Sequence, residues 1–406
     1  MRLAFLVPAV ARSGGIDVLL GHARRLQSSH GADIDIVSVA PVEDGQSGES
    51  LPVISPPEAQ KRHYDVAMGT WWETLYGVFD LNADHYAGFI QSFEQRFYER
   101  DDRTEQLAAA SAYGLPLHFI AAATWMAGML ARLHPGRTCA AVPNGIDKEL
   151  FTCPPGPRKP GPLRVLIEGQ PQLWFKGIPD AIASVGLMKG AAETTLVCLE
   201  PPAQSDLPVD RVLSSLDHDR MRAIYQETDV LVKMSRVEGL GLPPLEAFHC
   251  GVPCVVTPFT GHEEYVEHGE NGFVCGFDDP ATAASYLDRL ASDSALLERL
   301  SAGALQTAAA WPSTEDSTAR LAAVLGEIQS SPPVDTSQAR EQIAGFQRSL
   351  ALGRESRVEY DRGRSEYDQQ VEDLERDLTS ATKELDALRR ALHAHESRRI
   401  PWLRRR

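Results

Sequence analysis

Arg236-Val-Glu-Gly-Leu-Gly-Leu-Pro-Pro-Leu-Glu-Ala-Phe-His-Cys-Gly-Val-Pro253 sets two glutamates, Glu238 and Glu246, around two glycines and a Pro-Pro pair. Proline is tolerated in the first turn of a helix, and glycine is favoured just past its end. The stretch therefore predicts a short helix over residues 243–250, stopped at Gly251, and then a buried strand over residues 252–257. Glu238 falls in the loop before the helix and Glu246 in its first turns. A glycine-containing loop entering a helix offers unpaired backbone N–H groups and a positive dipole end, which suits a phosphate. A carboxylate beside that seat suits sugar hydroxyls. Alone, the same letters also fit a surface loop, because glycine and proline punctuate loops generally.

Around this stretch, apolar runs alternate with helical patterns. Residues 2–8 are mostly apolar, Ala11-Arg-Ser-Gly-Gly-Ile16 follows, and then come a helix over 17–28 and a strand over 33–40. Strand, glycine turn, helix, strand is the βαβ unit of a parallel sheet. Gly14 and Gly15 fall at the carboxyl end of a strand, where ligands approach such sheets; a plain tight turn is the other reading. Residues 43–60 read as a loop. Further strands are expected at 64–68, 85–91, 117–121 and 139–142, with helices at 71–81, 105–112 and 124–133. Thr152 to Pro162 has linker composition. A second alternating unit follows, with strands at 163–168, 195–199, 230–232 and 254–257. Its helices are expected at 179–187, 217–226, 243–250, 280–290, 294–309 and 313–328.

The fold class is thus α/β. Two Rossmann-like doubly wound domains, 1–150 and 151–328, face a cleft, and a linker over 329–340 leads to a helical tail over 341–406. In the tail, Tyr367, Val371, Leu374, Leu378, Ala381, Leu385, Leu388 and Leu392 recur at alternating spacings of four and three. That is a coiled-coil seam, from which a homo-oligomer or a partner enzyme is expected. A single amphipathic helix folded onto the body is the alternative. The last ten residues, Ser397-Arg-Arg-Ile-Pro-Trp-Leu-Arg-Arg-Arg406, fit either contact with an anionic membrane surface or a solvated tail.

The bulk properties narrow the function classes. The chain has 406 residues, 43% hydrophobic and 24% charged, enough for real cores. A net charge of −16 argues against broad nucleic-acid binding. No apolar run is long enough to span a membrane, and the first one ends at Pro8, so a strand is expected there rather than a signal peptide. The six cysteines lack paired metal-site spacing, which points to reduced thiols and a cytoplasmic setting. Cys250 and Cys254 read as small buried residues.

Taken together, the residues resemble the GT-B-fold, family-4 retaining glycosyltransferases. The resemblance covers about 1–328. It rests on Ser235-Arg-Val-Glu-Gly-Leu-Gly-Leu-Pro-Pro-Leu-Glu-Ala, Gly251-Val-Pro-Cys-Val-Val-Thr257, Glu270-Asn-Gly-Phe-Val274 and Val142-Pro-Asn-Gly-Ile-Asp147. A looser similarity, in Phe89-Ile-Gln-Ser-Phe-Glu-Gln-Arg-Phe-Tyr98 and Ile167-Glu-Gly-Gln…Trp-Phe-Lys-Gly177, looks like a bacterial subset that includes rhamnosyltransferases of surface-polysaccharide assembly.

The resemblance implies a nucleoside-diphosphate sugar as donor. Rhamnose or another hexose would move to a cell-surface glycan or lipid-linked acceptor, at the inner face of the cell membrane. Lys176 matches the family's phosphate-binding lysine, and Gly239, Leu240 and Gly241 match the loop whose N–H groups meet the donor. Glu246 matches the carboxylate that holds the ribose, Glu238 the one near the transferred sugar, and Gly14 and Gly15 the N-terminal glycine loop. Two departures stand out. Pro171 occupies the place of a family arginine, with Arg236 as a substitute suggested by sequence proximity. Gln91 stands where many members place a histidine, and it hydrogen-bonds but cannot titrate. His85 is the backup candidate. The family's front-face route, in which the leaving phosphate takes the acceptor's proton, needs no obligatory metal or other cofactor. Asp33-Ile-Asp35 has the letters of a metal site but reads as structural. A GT-B scaffold that binds nucleotide sugars without turnover is the alternative function, and a sugar-nucleotide epimerase on the same architecture a third.

Overall fold

The computed structural model describes residues 1–10, 13–41, 51–99, 101–152, 161–202, 206–333 and 336–399. Cys153, most of the proline-rich stretch and the arginine-rich end beyond residue 399 lie outside the described residues, as do residues 334 and 335 of the second linker. The chain forms two compact units, Met1–Arg340 and Glu341–Arg406.

The first unit opens with β1 (Arg2–Val7), α1 (Gly14–His30), β2 (Asp33–Ser38), β3 (Val53–Ile54), α2 (Pro56–Ala59), β4 (Tyr64–Gly69) and α3 (Trp72–Gly77). It continues through β5 (Ala83–Ile90), α4 (Arg103–Ala112), β6 (His118–Ala121), α5 (Thr124–Leu133) and β7 (Cys139–Ala141). The strands pair in the order β3-β2-β1-β4-β5-β6-β7, all parallel. Such strands are apolar along most of their length because both faces are covered; Leu3, Phe5, Ile34, Ile36, Val66, Phe89 and Phe119 are buried. Helix α1 starts at Gly14 because Ser13 caps it, its hydroxyl accepting from Ile16 N at 3.3 Å.

The second sheet comprises β8 (Leu163–Glu168), β9 (Ala192–Cys198), β10 (Arg211–Ser214), β11 (Val230–Lys233), β12 (Cys254–Val256) and β13 (Gly272–Val274). They too are parallel, in the order β10-β9-β8-β11-β12-β13. Between them run α6 (Ile178–Gly186), α7 (His218–Glu227) and α8 (Leu242–His249), and α9 (Pro280–Ser292) and α10 (Ser294–Ala310) follow. Val165, Ile167, Val230, Val232, Val255 and Phe273 pack with Leu287, Leu290 and Leu300 as this half's core. Both sheets are thus doubly wound, as expected.

Several elements differ from the sequence reading. Within the expected loop 43–60, Val53–Ile54 pairs with β2 and Pro56–Ala59 makes one helical turn. The helix expected over 71–81 ends at Gly77 and tightens into a 3-10 turn, Val78–Asp80. Helix α11 (Thr314–Gln329) lies against α1, β4, β5 and β6 rather than the second sheet. It buries Leu321, Val324, Leu325 and Ile328 there. The chain therefore passes between the halves twice, and the two passages touch. Ile146 N donates to Pro312 O at 3.2 Å, and Thr314 N donates to Ile146 O at 3.2 Å. Gly145 lies flat on this contact, where a Cβ would stand 2.0 Å from Ser313 O.

Helix α12 (Ser337–Arg399) makes up the described part of the second unit from Glu341 on. Of the seam residues, Tyr367, Leu374, Leu378 and Leu385 are exposed. No helix of the described residues is long and apolar enough to cross a membrane.

Candidate active site

In an open parallel sheet, ligands bind outside the carboxyl ends of the strands where the order reverses. The first sheet reverses between β1 and β4, and the second between β8 and β11. Segments that leave these ends line a cavity of about 710 Å³. Nine of the residues singled out from sequence line it: Gly14, Gly15, Gln91, Lys176, Glu238, Gly239, Leu240, Gly241 and Glu246.

Glu238 sits in the loop after β11, at the cavity wall, with 12% of its side-chain surface exposed. Its Oε1 accepts from Lys176 Nζ at 2.9 Å and from Ser235 Oγ at 2.9 Å, and lies 3.1 Å from Lys233 Nζ. Burial alone would raise its pKa, but the two ammonium groups outweigh burial and hold it down at about 2. Glu238 is therefore ionised at any physiological pH.

Glu246, on the first turns of α8, is shifted the other way. Burial pushes its pKa up to about 7, aided by nearby Glu168, while the hydroxyl of Tyr225, donating to Oε2 at 2.9 Å, and Lys233 work against that rise. Two glutamates of one motif are thus poised differently by their surroundings.

The Gly239–Gly241 loop is braced from several sides. Trp125 Nε1 donates to Gly239 O at 2.8 Å, and Tyr265 Oη donates to Gly241 O at 2.7 Å. Gln91 Nε2 donates to Gly15 O at 3.0 Å, which spends one of its two amide hydrogens on the first half's helix start. The halves are also joined near the cavity by Arg96 Nη1 to Thr260 Oγ1 at 2.7 Å and Trp174 Nε1 to Phe97 O at 3.1 Å.

Two sequence expectations are corrected. Arg236 does not line the cavity; its guanidinium pairs with Asp180 at 2.7 Å and with Asp278. The two aspartates outcompete a role at the phosphate seat. His85 is buried in the first sheet with its ring edge-on to His118, centroids 6.2 Å apart, and does not line the cavity. Within the fold, Asp35 of Asp33-Ile-Asp35 accepts from Arg62 Nη1 at 2.6 Å and from Tyr64 Oη at 2.8 Å, a structural role as expected. Among the described residues no three His, Cys, Asp or Glu side chains gather in a group able to hold a metal ion.

The cavity also contains residues that sequence reasoning passed over. Glu168 ends β8, Tyr225 lies on α7, and His218 starts that helix. Glu94 is buried beside Tyr113, whose hydroxyl is its close partner; burial pushes its carboxyl up to about 8, against the effect of that hydrogen bond. Glu94 lay inside a quoted stretch and Glu168 inside another, so the letters were visible. Their inward placement was not.

Comparison with known proteins bears on this geometry. Residues 211–307 match the protein family described as "Glycosyl transferases group 1". A glycogen synthase from Mycobacterium tuberculosis is 31% identical over 210 residues, which span 47% of this chain and 50% of that protein. A D-inositol 3-phosphate glycosyltransferase from Thermomonospora curvata is 31% identical over 156 residues, or 38% of this chain and 33% of the relative. The chain thus spans half or less of these curated relatives. The structure of Anabaena HepE in complex with UDP-glucose aligns with a TM-score of 0.66 over 80% of this chain and 100% of that one, at 15% identity. The architecture is the two-domain GT-B fold.

Proposed function

We propose that this chain is a retaining glycosyltransferase that takes a sugar, rhamnose or another hexose, from a nucleoside diphosphate. The acceptor is a cell-surface glycan or its lipid-linked precursor. The observation that carries the reading is the cavity that reaches both switch points, lined by Lys176, Glu238, Glu246, the Gly239–Gly241 loop and the Gly14–Gly15 helix start. Leaving-group departure builds negative charge on the diphosphate, and preorganised donors aimed there lower the barrier. Lys176 and the backbone N–H groups of the loop are such donors. Glu246 accepts from the ribose hydroxyls, and Glu238 stands beside the transferred sugar. The C1–O bond to phosphate breaks, a C1–O bond to the acceptor forms on the same face, and the acceptor's proton passes to the departing phosphate oxygen. No protein base is asked for, which accords with Gln91.

The family match and the relatives' glycosyltransferase names support the reaction class. The decisive experiment is nucleotide release from UDP-, GDP- and dTDP-sugars in the presence of a glycan acceptor. Lys176→Ala and Glu238→Ala should each lower turnover on the order of 100-fold or more. Full activity in both variants sinks the mechanism. Donor binding with no turnover in the wild type favours the scaffold reading, whose motive is Pro171 in place of a phosphate-binding arginine and Gln91 in place of a histidine.

A further inference from the structure

Strands β8 and β11 are parallel neighbours whose register sets Val232 beside Ile167. The next residue on each is Lys233 and Glu168, so the sheet itself brings a lysine and a glutamate together at its carboxyl edge. The Lys233 side chain is fully shielded, its Nζ 2.6 Å from Glu168 Oε2 and 3.1 Å from Glu238 Oε1. Burial alone would discharge this ammonium; the two carboxylates outweigh it and hold the charge in place.

Glu238 therefore has two cationic partners of unlike freedom. Lys176 lines the cavity and keeps 22% of its side-chain surface exposed, whereas Lys233 keeps none. A diphosphate in the cavity competes with Glu238 for Lys176. Were Lys176 the sole cationic partner, its departure would strand a largely buried carboxylate, a costly event. We propose that Lys233 is a positioning residue, the fixed partner of Glu238 that frees Lys176 for the donor's diphosphate and keeps Glu238 in place beside the sugar. This rests on the reading of the cavity as a donor site.

The test is nucleotide binding by full-length variants, measured by calorimetry with UDP, GDP and dTDP as probes. Lys233→Met should weaken binding about tenfold or more, a change of about 1.4 kcal/mol or greater, because Lys176 then stays with Glu238. Adding Glu238→Gln should release Lys176 and restore affinity to within about threefold, a non-additive coupling of contacting residues. Adding Glu168→Gln instead removes the same negative charge without releasing Lys176, and should not restore it. Equal rescue by both, rescue by neither, or unchanged binding in Lys233→Met each overturns the proposal. If Lys233→Met does not fold, Lys233→Met/Glu168→Gln balances the buried charge and serves as the baseline for adding Glu238→Gln, judged by the same restoration. Failure of the wild type to bind any of the three probes overturns the donor-site reading itself, and this inference with it.

Discussion

The carbonyl oxygen of Gln91 lies so close to Gly239 that a Cβ at position 239 would stand 1.7 Å from it. The loop of the second half is thus fitted against the end of β5 in the first. A methyl group there must push the two apart. Gly239→Ala should cost about 1–3 kcal/mol by overpacking, and it should weaken nucleotide binding along with stability. Chemical denaturation and calorimetry on the same variant check both. A variant of unchanged stability and affinity would show that the contact yields freely.

With Glu246 at the ribose, as proposed, nucleotide affinity should depend on pH. Its ionised form is the better acceptor for ribose hydroxyls, and its pKa is about 7, so affinity should rise as pH rises through about 7. Tyr225→Phe removes a hydrogen bond that favours the charged form. The midpoint of the affinity curve should move to higher pH in that variant. Titrations over about two pH units on either side of the midpoint would reveal the shift; an unmoved midpoint separates Glu246 from the effect.

Glu94 carries the opposite kind of information, about stability. Its folded pKa, about 8, lies above its ordinary value of 4.5. Its stabilising contribution is therefore complete below 4.5 and is lost as pH rises through 8. Glu94→Gln stays neutral throughout, so its stability should fall less than that of the wild type across this window. Urea midpoints measured at several pH values decide it, and parallel curves for the two proteins would refute the assignment.

The exposed seam residues of α12 invite a partner helix, because a lone helix gains little from apolar residues in water. Removal of residues 341–406 should reduce the number of subunits per particle while leaving the melting temperature of the remaining unit nearly unchanged. Light scattering and thermal denaturation report the two quantities separately. An unchanged particle size assigns the seam another purpose.

Much of the site was legible because its parts sit where chain chemistry forces them. Gly14 and Gly15 follow a strand, Pro243 and Pro244 open a helix, and Lys176 precedes a glycine turn. What escaped was set by register and long-range packing. Lys233 reads as the polar end of Val230-Leu-Val-Lys233, and only its pairing beside Glu168 shows that it is inside. The edge strands β10 and β13, four and three residues long, are too short to show a period. Arg236, next to the motif in sequence, is drawn away by Asp180 and Asp278, which no local pattern could foretell. The destination of α11 was equally hidden, since its amphipathic face would suit either sheet.

The adjoining passages at Gly145–Ile146 and Pro312–Thr314 have a mechanical meaning. Among the described residues these are where the backbone joins the halves and lies side by side, like the two leaves of a strap hinge. The two halves are tied there by two adjacent passages of backbone rather than one. The Asn-Gly-Ile run at the junction, first read as a family mark, then becomes a bearing: its glycine has no side chain, so the two leaves can lie flush.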